Sequence, residues 1–162
     1  MGGNPVSRSD PSGNCPVCVL AAFGLAATEL ATSDVPMIGG GLVRAGGEAA
    51  AELTAKAVAI HEALDPIALS MRTTAVLRTS AGDVAAGGAR DLTSTQRAVA
   101  ESLDAAPVAL PGAHAEVTAI VNAQKNGSQP QFLQVTRDIC PACAAFIESV
   151  GGTVTGARSA KW

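Results

Sequence analysis

Two short stretches carry the residue types that could do chemistry. His114-Ala115-Glu116 is followed, after 23 intervening residues, by Cys140-Pro141-Ala142-Cys143. Each precedes a run with helical character, so one neutral imidazole and two thiolates can converge on a single metal while a carboxylate stands beside it. Zinc stays catalytic when three protein ligands leave the fourth position to water, and one His with two Cys supply three; a structural site would be closed by a fourth. Zinc in such a site lowers the pKa of water to about 7, which makes a nucleophile available at neutral pH. Glu116 has a different task. Two residues beyond the imidazole on a first helical turn, its carboxylate projects at about 200° from the ligand, toward water and substrate rather than the metal. Ala115 offers a backbone amide at a helix start, where developing negative charge is tolerated.

The same Cys140–Cys143 pair also has the form of a dithiol at a helix N-terminus, where the dipole lowers a thiol pKa. That redox reading leaves His114 and Glu116 without a role, and a purely structural zinc site has no use for Glu116. Chelation separates the two, since a thiol enzyme keeps working without metal. The remaining cysteines, Cys15 and Cys18, would need two further ligands to close a zinc site. They are expected to form a disulfide or to remain free thiols, with a metal half-site or redox pair as the alternatives. His61 lies on a helical run without a Cys or acidic partner at i+3, and is expected to be a satisfied histidine rather than a ligand.

HAE followed by Cys-x-x-Cys opening a helix resembles the cytidine deaminase superfamily, whose members hydrolyse nucleobase amines with zinc. Within it, GAHAEV and ICPAC resemble the bacterial polymorphic-toxin deaminases, the YwqJ-like group and its relatives. The resemblance covers roughly Asp65 to the C-terminus and departs at one point. The family order is Pro-Cys-x-x-Cys, whereas here Ile139 precedes Cys140 and the proline is Pro141, at a first helical position that suits it. The resemblance implies zinc on His114, Cys140 and Cys143, proton shuttling by Glu116, and a three-layer α/β/α deaminase fold with a mixed sheet of four to five strands. It also implies a nucleic-acid substrate, cytosine converted to uracil in DNA ahead of RNA, with a free nucleoside or nucleotide (cytidine) deaminase, an adenosine deaminase or a non-catalytic zinc-binding module as the alternatives. By the same resemblance the chain is the C-terminal toxin module of a secreted effector, delivered into a target cell to act in its cytoplasm and opposed by an immunity protein.

The elements that must position these residues can be read from pattern. Residues 1–14 form a Gly/Ser/Pro-rich arm or linker, residues 15–46 an N-terminal helical extension with a helix from Val17 to Thr32, and residues 47–162 the catalytic domain. The apolar run that begins at Cys15 has only Arg8 before it, so it is not read as a signal peptide. Gly39-Gly40-Gly41 reads as a hinge. Apolar spacing through Leu53, Ala57, Ile60 and Leu64 predicts a helix over Glu48–Leu64, with a further turn over Ile67–Met71 after Asp65-Pro66. Thr73–Thr79 and Val84–Ala86 read as a hairpin about Ser80–Asp83. Thr93 or Ser94 caps a helix to about Leu103. Pro107 and Pro111-Gly112 then lead to a helix from His114 to Lys125, closed at Asn126-Gly127. A strand over Gln131–Arg137, a helix over Cys140–Val150 and a fourth strand over Thr153–Arg158 complete the order, with any fifth strand short or absent.

Substrate contacts are expected from Gly87 and Gly88, where backbone could approach a base or ribose; a bulge or turn requiring positive φ explains the pair equally well. Arg72, Arg78, Arg90, Arg97 and Arg137 fall at the strand ends that should rim the pocket, Arg137 foremost, although exposed arginines ordinarily need no such role. Net charge is −3, and the aromatics are three Phe and one Trp. A nucleic-acid enzyme ordinarily offers cations to phosphates and aromatics to bases, so this composition argues mildly against polyanion affinity. The chain has no basic tail. Its longest apolar runs also fall short of the roughly 20 residues that a membrane span needs.

Overall fold

The computed structural model describes residues 41–162. The arm over 1–14, the helix expected over 17–32, and the pair Cys15 and Cys18 lie outside the described residues. Five helices and six strands follow one another: α1 (Gly41–Glu62), α2 (Pro66–Met71), β1 (Thr74–Thr79), β2 (Gly82–Gly87), α3 (Ser94–Ser102), β3 (Ala105–Val108), α4 (Ala115–Lys125), β4 (Pro130–Val135), α5 (Pro141–Ser149), β5 (Thr153–Gly156) and β6 (Ser159–Lys161). Helix α1 begins seven residues before the expected Glu48. Gly41 therefore opens a helix instead of closing a hinge, and the chain runs helically through Gly46 and Gly47 despite their poor propensity.

The strands form one mixed sheet in the order β3-β2-β1-β4-β6-β5. Only β2 and β3 are parallel; every other pair is antiparallel. Two of these strands correct the expected four to five. β3 holds Pro107 and two alanines, a composition with little strand signal. Pro107 is tolerated there because β3 lies at the sheet edge. Its presence makes α3 the crossover between parallel strands, which such a pair requires. The single strand expected over Thr153–Arg158 is instead a hairpin whose second arm, β6, inserts between β4 and β5.

Side chains alternate across this sheet with the period of two that pleating imposes. Ala75, Leu77, Ala86, Leu133 and Val135 join Ala115, Ala119 and Ile120 of α4 and Ile147 of α5 in one core. Val76, Ala85 and Ala105 join Leu53, Ala57 and Ile60 of α1 and Ala100 of α3 in the other. Helices thus cover both faces. Asp83, buried in β2, is gripped by Arg78 Nε at 2.9 Å and Lys56 Nζ at 2.7 Å. Burial alone would raise its carboxyl, but these bonds outweigh that and hold it below the usual range.

His61 is satisfied, as expected. Its Nε2 lies 3.1 Å from the Leu69 carbonyl, which can only accept, so Nε2 carries the proton and Nδ1 accepts from Thr74 Oγ1 at 3.1 Å. Gln96, also buried, donates to Thr74 Oγ1 and to the Ile60 carbonyl. One polar network thereby ties α1, α2, β1 and α3 together.

Candidate metal centre

Helices α4 and α5 are built alike at their starts. His114 is the N-cap of α4 at φ −70°, ψ 155°, and Cys140 the N-cap of α5 at φ −72°, ψ 158°. The imidazole makes no capping hydrogen bond. The His114 carbonyl instead anchors the turn, accepting both the backbone N–H and the hydroxyl of buried Thr118 at 2.9 Å each. This leaves the ring to face the neighbouring helix. Cys140 Sγ accepts from the Cys143 amide at 3.4 Å, which points both sulfurs the same way, with Pro141 between them at the position where a missing N–H costs nothing.

The two starts meet. His114 Nδ1 lies 3.6 Å from Cys140 Sγ and 3.3 Å from Cys143 Sγ, and the three donor atoms all fall within 4.8 Å of one another. Tetrahedral zinc, with its sulfur and nitrogen bond lengths, separates adjacent S and N ligands by roughly 3.5 Å. The spacing therefore fits the ion, with Nδ1 as the ligating nitrogen. Among the described residues this group has three members, and no described residue supplies a fourth.

Burial, followed by the nearby Cys140 and Glu116, pushes the Cys143 thiol well above its ordinary range. These surroundings favour the protonated thiol, so a divalent ion bound here would have to displace that proton. Glu116, 3% exposed, sits beside Cys143 and lines a cleft of about 680 Å³ together with His114, Ala115 and Cys140.

Of the expected substrate residues, Gly88 and Arg137 line this cleft and Gly87 does not. A Cβ on Gly88 would stand 3.5 Å from the Ala115 nitrogen, so its absence keeps that amide approachable. Gly87 answers a packing need. A Cβ there would lie 2.7 Å from the Asp91 carbonyl carbon, which brings the loop after β2 tight against the strand end. Gly87→Ala is expected to cost about 1–3 kcal/mol by overpacking, read as a lower denaturation midpoint.

Among the arginines, Arg72, Arg90 and Arg137 reach the rim. Arg78 is committed to Asp83 and Glu52, and Arg97 to the Leu92 carbonyl, so neither serves the cleft. Two of the rim arginines brace backbone: Arg72 donates to the carbonyls of Arg90 and Asp91, and Arg137 Nη1 to that of Ser70 at 3.1 Å. Ile139 is half-buried against the core, its N–H bonded to the Ala157 carbonyl. The cleft wall formed by Asp65, Ile67, Ala68 and Met71 of α2 and its cap is not among the residues that pattern assigns to the site. Its one sequence signal is the apolar pair Ile67 and Met71, four apart on a helix with no interior to face. Thr118 likewise escapes pattern, its only signal being the i+4 spacing from His114. No protein-family model, curated protein or solved structure matches this chain.

Proposed function

We propose that this chain is a zinc-dependent hydrolase that deaminates a nucleobase, converting cytosine to uracil in DNA. The observation that carries the reading is the buried carboxylate of Glu116 beside a three-member His/Cys/Cys group with no fourth member among the described residues, at the wall of a cleft large enough for a nucleotide. A structural metal has no use for that acid. When bound, zinc supplies Lewis acidity that makes water nucleophilic near neutral pH.

The chain's own residues do the rest. Glu116 takes a proton from the attacking water and returns it to ring N3. As the C4–N bond breaks it passes the second water proton to the departing amine, so water enters and ammonia leaves. Low exposure keeps this carboxylate out of competition with bulk solvent. The Ala115 N–H, at the first position of α4, adds the positive end of a helix to the same corner. The three-layer deaminase fold is part of the proposal, supported by helices on both sheet faces and by metal-binding stretches that each open a helix.

The arginines on the rim support a phosphate-bearing substrate. The wording of GAHAEV and ICPAC supports a toxin module of a secreted effector, acting in a target cytoplasm and neutralised by an immunity protein. A second reading, deamination of free cytidine, is favoured by the lack of any Phe, Tyr or Trp among the described lining residues. Incubating the full chain with single-stranded DNA, duplex DNA, RNA and cytidine in parallel, and scoring uracil and inosine, decides among them. We expect uracil in DNA; product from cytidine alone would favour the second reading, and no product from any substrate would refute both.

A further inference from the structure

We infer that Ile67 and Met71 form an apolar contact for the bases that flank the target nucleotide, taking over the stacking role that aromatic residues fill elsewhere. This inference rests on the reading of the cleft as a nucleobase site in DNA. Helix α2 buries no residue, so core packing does not explain it. Polar bonds hold it in place instead: Asp65 Oδ1 accepts from the amides of Ile67 and Ala68, His61 Nε2 donates to the Leu69 carbonyl, and Arg137 Nη1 to the Ser70 carbonyl.

So fixed, the helix presents Ile67 and Met71 at 75% and 73% exposure, the two most exposed large apolar side chains among the described residues. They are four apart, hence on one helix face. Both line the cleft that holds His114 and Glu116. A lone exposed apolar residue needs no explanation, but a braced pair at the mouth of a polar site does.

The surroundings select the occupant. Arg72, Arg90 and Arg137 share the rim, and the Arg90 side chain makes no hydrogen bond or ion pair among the described residues. The nearby acids are engaged: Asp65 caps α2 and Asp138 pairs with Arg158 Nε at 2.9 Å. Apolar faces bordered by guanidinium groups match a strand of bases on a phosphate backbone. Isoleucine and methionine are among the side chains that insert between base steps and unstack them. An enzyme that must draw a base out of its stack has use for such a wedge.

The test is the double variant Ile67→Ser/Met71→Ser of the full chain, with Ile67→Leu/Met71→Leu beside it. An oligonucleotide carrying 2-aminopurine next to the target cytosine reports unstacking, and anisotropy reports affinity. Because both positions are exposed, melting temperature and zinc content should match the parent. Expected are an affinity about tenfold weaker or more, loss of the 2-aminopurine brightening, relaxed preference for the flanking base, and recovery of all three in the leucine pair.

Unchanged affinity and brightening in the serine pair, with uracil still formed, would overturn this inference and leave the deaminase reading standing. Lost affinity in a chain that forms no uracil would do the reverse. Sedimentation with anionic vesicles, without any effect of the serine pair on DNA binding, would reassign the face to lipid and overturn the assignment.

Discussion

Glu116→Ala should leave zinc content and melting temperature close to the parent while lowering uracil formation by a factor of about 10² or more, the scale of a positioned general acid–base group. The separation of these two readouts is what gives the test its force. Glu116 is not one of the three converging donors, so its removal leaves the ion's ligands intact. Its carboxylate nevertheless lies beside Cys143 and faces the cleft, where the proposed mechanism has it carry both protons. Metal analysis, a thermal melt and a uracil assay on one preparation suffice. Retained activity would remove the acid from the mechanism; lost metal would make Glu116 a ligand and reopen the assignment of the site. Glu116→Gln, which keeps the shape and removes the charge, should behave like the alanine variant.

Chelation is expected to abolish activity and zinc to restore it. Cys143→Ala should lose both metal and activity without rescue. The chain carries two cores of its own on either side of the sheet, so the metal-free protein should keep its secondary structure by circular dichroism. Its melting temperature should nonetheless rise on loading, because an ion that binds only the folded state at a thousand times its dissociation constant contributes about 4 kcal/mol.

The proton balance fixes the direction with pH. Burial, then Cys140 and Glu116, hold the Cys143 thiol above its ordinary range. The ion must therefore displace a proton, and occupancy must fall as the medium is acidified. Proton release on loading, followed by calorimetry in two buffers of different ionisation enthalpy, checks this. Activity that survives exhaustive chelation would favour the dithiol alternative, in which Cys140 and Cys143 act as a redox pair.

The features legible in the sequence are local ones. The N-cap at Thr93, the hairpin about Ser80–Asp83, and the starts of α4 and α5 each depend on residues within one turn of one another. Capping geometry of that kind is written in adjacent side chains. The candidate ligands are legible for the same reason: an imidazole at one helix start and two thiols at another form a group that could hold a metal ion. His61 is read as a satisfied histidine on the same logic, since neither a Cys nor an acid stands three residues on from it.

Long-range pairing decided the remainder. β3 carries almost no strand signal in Ala105-Ala106-Pro107-Val108 and exists because β2 offers it a parallel edge. β6 has three residues and gains its place only between β4 and β5. Gly87 reads in sequence equally as a ligand contact or a turn residue, and only the structure shows the Asp91 backbone folded back against it. Sequence by itself determined which donors this protein has and that each opens a helix, because those facts follow from residue type and near neighbours. The tertiary structure alone decided that His114 and Cys140, 26 positions apart, stand within 3.6 Å, and that α2 walls the cleft. Such distances are set by how the helices seat on the sheet, which no local pattern encodes.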